Sequence, residues 1–234
     1  MEAALYLIPC TLGDTPIEQV LPTYNNDVVR KIRHFIVEEI RTARRFLRRM
    51  DREFPIDDCT FYEMGKHSDD NKYASYLKPI AEGLPVGVIS EAGCPAVADP
   101  GADIVSIAQR RGIRVVPLVG PNSMIMAVMA SGLNGQSFVF NGYLPIDEGE
   151  RARRLQQLEQ RAQRERQTQL FIETPYRNRR FFDTLLCTLS PKTRLCVAAG
   201  ISTSDEWIHT HTISEWRKLT LPDLSKIPAI FLFL

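Results

Sequence analysis

The chain has 234 residues, 44% of them hydrophobic, and a net charge of +1, enough for one large domain or two modest ones with buried cores. The near-balanced charge sets aside a dedicated polyanion binder, and no apolar run reaches the ~20 residues of a membrane helix. The start, Met1-Glu2-Ala3-Ala4, is acidic and its apolar run is too short for a signal peptide, so the expectation is a soluble, cytoplasmic protein.

Short β-branched or aromatic runs mark strands at 5–8, 86–90, 114–118, 137–140, 169–172, 194–198, 207–212 and 229–233. Between them, amphipathic stretches mark helices at 104–111, 123–130, 148–164 and 177–189. Several strands are nearly continuous hydrophobic runs, as expected when both faces of a sheet are covered, so the first half reads as α/β with a parallel sheet. From Val28 to Met50 the apolar residues keep close to a 3.6-residue period, which favours one long helix over a reading that makes Phe35-Ile36-Val37 a strand between two helices. Turn residues at Gly142-Tyr143-Leu144-Pro145 suggest a linker before a charged helix.

The charge is unevenly spread. Nine Lys or Arg residues lie between Arg30 and Arg52 against Glu38, Glu39 and Asp51, and a second basic cluster runs from Arg151 to Arg166. Such clusters can bind phosphate backbones, and they are also what a solvated helix face looks like. The five cysteines, Cys10, Cys59, Cys94, Cys187 and Cys196, are scattered without a C-x-x-C pair and read as small buried hydrophobes rather than disulfides or metal ligands.

Several chemistries are excluded by missing motifs. None of the thirteen glycines forms a G-x-G, which removes the dinucleotide fingerprint, and a P-loop, a G-x-S-x-G nucleophile elbow and H-E-x-x-H are also absent. His209 and His211 fall on one face of an expected strand, but without a third ligand nearby they read as surface residues, and no metal is expected. What remains is turn chemistry where strands end: Pro9 to Asp14, Ser90 to Gly101, Gly120 to Ser123, and Glu173 to Pro175. Ligands of open α/β sheets bind outside the carboxyl ends of strands, so these loops suggest a composite pocket. Each also has an ordinary explanation, with Asp99 capping a helix that has Pro100 in its first position and Asn122 or Ser123 capping the next.

Taken in order, these segments resemble the tetrapyrrole-methylase superfamily and, within it, the ribosomal RNA small subunit methyltransferase I family, which methylates a cytidine ribose 2′-hydroxyl. The resemblance is carried by Leu5-Tyr-Leu-Ile-Pro9 with Leu12-Gly13, Ile89-Ser-Glu-Ala-Gly-Cys-Pro95 through Asp99-Pro-Gly101, Val115-Val-Pro-Leu-Val-Gly-Pro121, Ser131-Gly-Leu133, Phe140-Asn-Gly-Tyr-Leu-Pro145, Glu173-Thr-Pro-Tyr-Arg177 and Lys226-Ile-Pro-Ala-Ile-Phe231. It spans essentially the whole chain. It implies two α/β domains, 1–118 with a parallel sheet and 119–234 with a mixed sheet, an S-adenosylmethionine cleft between them, and a homodimer. It also implies a strand at Phe35-Ile-Val37 in place of the long helix, and it moves the expected boundary away from Gly142.

Matching positions imply cofactor contact for Leu12, Glu91, Gly93, Cys94, Asn122, Ser123, Glu173, Pro228 and Ala229, with Glu91 open to a second reading as the residue that fixes its loop. For an RNA ribose hydroxyl of the small ribosomal subunit, a weak nucleophile, the candidate bases are Glu38, Glu39 and His67, with Arg41 as an anchor for phosphate or substrate. The chain departs from the family in having Glu at 39 and 91 where Asp is usual and Cys at 94 where Thr is common. Two rival readings stand beside RNA methylation: a tetrapyrrole methyltransferase, disfavoured by the single glycine in Pro9-Cys-Thr-Leu-Gly13, and a catalytically silent RNA-binding scaffold with the same fold.

Overall fold

A computed structural model describes residues 1–65 and 70–234. The chain divides into two compact units, Met1–Asn122 and Ser123–Leu234, a break four residues beyond the expected 118/119 boundary. The turn at 142–145 is a connection inside the second unit.

In the first unit, β1 (Leu5–Ile8), β2 (His34–Val37), β3 (Thr60–Glu63), β4 (Val86–Ile89) and β5 (Val115–Pro117) form one sheet in the order β3-β2-β4-β1-β5. All neighbouring pairs are parallel, with Leu5 and His34 both opposite Val86. The helices are α1 (Ile17–Val20), α2 (Thr23–Val29), α3 (Ile40–Met50), α4 (Asp70–Tyr76), α5 (Lys78–Ala81) and α6 (Ala102–Arg110). Side chains alternate across the sheet as a two-residue period requires. Tyr6, Ile8, Phe35, Val37 and Ile89 pack with Val28 and Val29 of α2 and Ala43, Phe46, Leu47 and Met50 of α3. Leu5, Ile36, Val86 and Val88 face the other way, onto Tyr73 and Tyr76 of α4 and Ile104, Ile107 and Ala108 of α6.

That two-sided burial is why 28–50 is not one helix. Phe35, Ile36 and Val37 are all fully buried, and three consecutive residues reach two opposite cores only from an extended strand. The periodic apolar residues on either side belong to two helices that cover the same face, α2 and α3, so a single 3.6-residue phase carries across the strand. The edge strand β3, absent from the sequence reading, has exposed ends at Thr60 and Glu63 and no continuous apolar run to mark it.

The second unit contains α7 (Ser123–Ser131), β6 (Phe138–Phe140), α8 (Glu148–Glu165), β7 (Thr168–Glu173), α9 (Asn178–Thr188), β8 (Arg194–Ala199), β9 (Trp207–Thr212), α10 (Ile213–Trp216) and β10 (Ala229–Phe233). Its sheet runs β6-β7-β10-β8-β9, with β6 and β7 parallel and the other pairs antiparallel, a mixed sheet. One face carries Phe171, Val197, Phe231 and Phe233 against Leu155 and Leu158 of α8, Phe181 and Phe182 of α9, and Trp216. α8 starts where the Asp147 side chain accepts the Glu150 N–H at 2.8 Å, and it ends at Arg166 in the left-handed region, φ 50°. α10 is held by a capping box between Thr212 and Glu215. No helix of the described residues is long and apolar enough to cross a membrane.

Trp216 is 1% exposed, meets Phe182 edge to face at 5.4 Å, and donates its indole N–H to the Leu195 carbonyl at 2.8 Å. Trp216→Ala is expected to destabilise the second unit by about 3–5 kcal/mol. Urea unfolding followed by circular dichroism checks this through the shift in midpoint.

Candidate functional site

Because β1, β2, β4 and β5 are parallel neighbours, their carboxyl ends and the loops that follow lie along one edge of the first sheet. Those loops are tied to each other. The Cys10 N–H after β1 donates to the Gly93 carbonyl after β4 at 2.8 Å. Cys94 Sγ donates to the Pro121 carbonyl after β5 at 3.4 Å, so a thiol performs the donor role that a threonine hydroxyl can fill. Burial, opposed by an Asn122 side-chain hydrogen bond, pushes the Cys94 thiol above its ordinary pKa and keeps it protonated.

Glycine is required at two of these contacts. A Cβ at Gly120 would lie 2.3 Å from Pro9 Cβ and Cγ, and one at Gly93, where φ is +67°, would lie 3.2 Å from Leu12 Cδ2 and 3.4 Å from the Pro121 oxygen. The run from 89 to 101 is strained as well, since Ala96 and Ala98 have φ of 65° and 60°, a region that alanine rarely enters.

The acidic residues of this edge have separate environments. Glu39 is the N-cap of α3, its Oε1 accepting from the Arg41 N–H at 2.9 Å and its Oε2 from the Thr42 N–H at 2.8 Å. The Arg41 N–H and the other bonds hold its carboxyl below the usual range. Glu38 reaches across from β2 to β4, its Oε1 accepting from the Glu91 N–H at 3.3 Å. Burial first, and the charges of Asp99 and Glu91 in addition, push Glu38 above the usual carboxylate range against the pull of that N–H. Asp99 is raised by burial and by Glu91. It does not cap the next helix: α6 starts at Ala102 behind Gly101, with no side-chain cap.

Glu91 Oε1 lies 2.6 Å from Thr42 Oγ1, which is also 3.0 Å from the Glu39 carbonyl. A hydroxyl has one proton, and the shorter, charge-assisted bond to Glu91 takes it. A cavity of about 350 Å³ opens beside this bond. It is lined by Cys10 and Thr11 after β1, by Ile89, Ser90 and Glu91 at the end of β4, and by Thr42, Ala43, Arg45, Phe46 and Arg49 of α3.

The structure therefore brings Leu12, Glu38, Glu39, Glu91, Gly93, Cys94 and Asn122 to one edge of the first sheet. Arg41 stands exposed at the start of α3, outside the cavity lining, and His67 lies outside the described residues. Ser123 opens α7. At the end of β7 the buried Glu173 pairs with Arg177, Oε1 accepting from Nη2 at 2.6 Å and Nε at 3.0 Å. Ala229, which starts β10, is paired with Glu173, and the carbonyl of exposed Pro228 accepts the Gly200 N–H at 3.0 Å. Sequence reasoning passed over Thr42, Arg45, Arg49, Thr11 and Ser90, and it gave Asp99 a cap role. Arg45 and Arg49 lie in the basic cluster from Arg30 to Arg52 and Thr11 and Ser90 in the strand-end loops, while Thr42 stands three residues after an acid at a helix start. His209 and His211 stack at 6.1 Å on the edge strand β9, and among the described residues no group of three His, Cys, Asp or Glu could hold a metal ion.

No family model matches the chain. Among curated proteins it is similar to ribosomal RNA small subunit methyltransferase I of Pseudomonas aeruginosa, 30% identical over 188 residues, covering 80% of this chain and 64% of that protein. It is similar to the same-named protein of Vibrio cholerae, 28% identical over 213 residues, with 90% and 69% covered, and to that of Bacillus subtilis, 31% identical over 174 residues, with 74% and 55% covered. The chain thus spans between 55% and 69% of the length of these relatives. Among solved structures it is similar to the methyltransferase CobJ, with a TM-score of 0.62 and 15% identity over 98% of this chain and 93% of that one. At that identity the likeness shows the fold, which is the two-sheet α/β fold that the tetrapyrrole-methylase resemblance implies.

Glu39 caps α3 through both carboxylate oxygens, so Glu39→Ala is expected to lower the melting temperature by roughly 2–4 °C at neutral pH. The folded carboxyl titrates below its unfolded value of about 4.3. The difference from wild type is therefore full above that value and shrinks as pH falls through the lower folded one. Thermal melts of both proteins from pH 7 to pH 3 read it directly.

Proposed function

We propose that this chain, a homologue of the curated ribosomal RNA small subunit methyltransferase I proteins, is a cytoplasmic, homodimeric methyltransferase that uses S-adenosylmethionine to methylate an RNA ribose 2′-hydroxyl of the small ribosomal subunit. The observation that carries this reading is the knot of strand-end loops, where Cys10, Gly93, Cys94, Pro121 and the strained Ala96 and Ala98 sit in the segments that carry the family resemblance.

The residues present suit the cofactor in two ways. Gly93 and Gly120 let the strand-end loops pack against one another without a Cβ between them, which fixes the wall that an adenosine would meet. Burial and the nearby Glu91 charge raise the proton affinity of Glu38 and Asp99, and such a group of carboxylates gains stabilisation from a ligand that carries positive charge. When bound, S-adenosylmethionine supplies a methyl group on a sulfonium, open to in-line attack by an oxygen. Leu12, Glu91, Gly93, Cys94 and Asn122 are assigned to holding it from the first unit. For Ser123, Glu173, Pro228 and Ala229 the assignment rests on the matching motifs.

The chain's own work is to align the hydroxyl and take its proton. Glu38 is assigned as the base. Its carboxyl is half-buried and raised, which makes it a better proton acceptor than an ordinary glutamate, whereas both oxygens of Glu39 already hold helix N–H groups. Glu91 then anchors its loop to α3 through Thr42 while facing the cavity. Arg41, exposed at the head of α3, is assigned to phosphate contact, and His67 keeps its place as the alternative base.

Labelled S-adenosylmethionine incubated with 30S subunits, free 16S RNA and tetrapyrrole precursors in parallel tests the reading. Label in the ribosomal RNA, in a 2′-O-methyl nucleoside after digestion, is the expected result. Label only in the tetrapyrrole would replace the substrate, and no cofactor binding by calorimetry would leave a silent scaffold. Glu38→Gln is expected to lower turnover by about 10²–10⁴-fold with cofactor affinity retained. Because the base must be deprotonated, wild-type kcat is expected to rise with pH through a value above the ordinary glutamate range, a limb that Glu38→Gln abolishes.

A further inference from the structure

The cavity beside α3 is polarised along the helix. Thr42, Arg45 and Arg49 are spaced by three and four residues, so they share one face, and all three line the cavity. At the Thr42 end the wall is the Glu91 carboxylate, with Glu38 bonded to the Glu91 backbone. From Thr42 to Arg49 the helix rises roughly 10 Å, and the charge changes from acid to base over that length.

The arginines of this helix are not equivalent. Arg44 pairs with Asp57 at 3.0 Å and Arg48 donates to the Arg52 carbonyl at 2.6 Å, so both are occupied away from the cavity. Arg49 gives one nitrogen to the Thr15 carbonyl at 2.9 Å, with the fully exposed Asp14 at 3.8 Å, which steadies the side chain while leaving other guanidinium donors open. Arg45 makes no hydrogen bond or ion pair among the described residues, yet it lines a concave site rather than a convex helix face. A planar guanidinium in that position suits a phosphate, which it can bind through two parallel N–H groups.

We propose that Arg45, assisted by Arg49, makes the basic end of this cavity a subsite for a backbone phosphate of the RNA strand, with the nucleotide sugar toward the Glu38–Glu91 end. The proposal rests on the RNA reading above and moves the main phosphate contact from Arg41 to the cavity one turn further along α3. Arg45 is a binding residue here: it sets where the strand lies and takes no part in moving the proton.

The test measures binding of a fluorescein-labelled single-stranded RNA oligonucleotide by anisotropy at several salt concentrations, for wild type, Arg45→Ala, Arg45→Lys and Arg114→Ala. Arg114, just before β5 at the opposite edge of the same sheet, controls for loss of one positive charge. Arg45→Ala is expected to weaken binding about 5–10-fold at 0.1 M salt and to reduce the slope of log K against log salt by about 0.7, one phosphate contact to a single strand. Arg45→Lys is expected to recover the slope and only part of the affinity. Arg114→Ala should change neither, and cofactor affinity by calorimetry should be unaltered in every variant.

An unchanged slope in Arg45→Ala, or an equal loss in Arg114→Ala, would overturn the subsite while wild-type methylation of RNA still stood. Loss of cofactor affinity in Arg45→Ala would also overturn it, giving the arginine to the carboxylate of the methyl donor instead. If wild type neither binds nor methylates RNA, the subsite and the substrate reading fall together.

Discussion

The hydrogen bond from the Cys10 N–H to the Gly93 carbonyl, 2.8 Å long, joins the loop after β1 to the loop after β4, and the geometry of the whole edge depends on it. Beyond the strand ends the ladder stops, and backbone groups there need partners other than neighbouring strands. In this chain they find them in adjacent loops: Gly93 approaches Leu12 and Pro121, Gly120 lies against Pro9, and Cys94 donates to the Pro121 carbonyl. With no room for a Cβ at Gly120 and little at Gly93, these loops pack closely against one another. Glu91 is thereby set opposite α3, where Thr42 meets it at 2.6 Å.

That arrangement separates three acids of one edge into two kinds. Glu39 spends both oxygens on helix N–H groups, which hold its carboxyl below the usual range. Glu38 and Asp99, partly desolvated and close to other carboxylates, hold protons more tightly than usual. Separated pKa values among neighbouring acids are how a site assigns a base without changing residue type. Glu39, where the resembling family usually has Asp, caps α3 through two N–H groups. At position 94 a thiol likewise keeps the donor function.

Much of the fold was legible because burial on two faces writes apolar runs into the sequence. Leu5–Ile8 and Ala229–Phe233 stand where the apolar runs place them. The failures have physical causes. From 28 to 50, two helices on the same side of a sheet keep a common apolar phase, so the period reads through the intervening strand, and it was the resemblance that marked β2. β3 is a half-buried edge strand, and edges carry little hydrophobic signal. Asp99 beside Pro100 has the composition of a helix start, but the chain takes two left-handed alanines and a glycine before α6 begins. No local rule anticipates that path.

The order of turn-rich motifs at strand ends was enough to determine an α/β chain, the likeness to a methylase family and the loops in which a ligand site would lie. These follow from residue types that a backbone conformation demands locally, above all glycine and proline beside apolar strands. Which side chains share a site was decided only by the fold. Thr42 and Glu91 are 49 residues apart, and Glu38 and Glu91 are 53 apart. Their meeting depends on β2 and β4 lying side by side, in parallel and in register, a long-range pairing that leaves no trace in the spacing of the residues it unites.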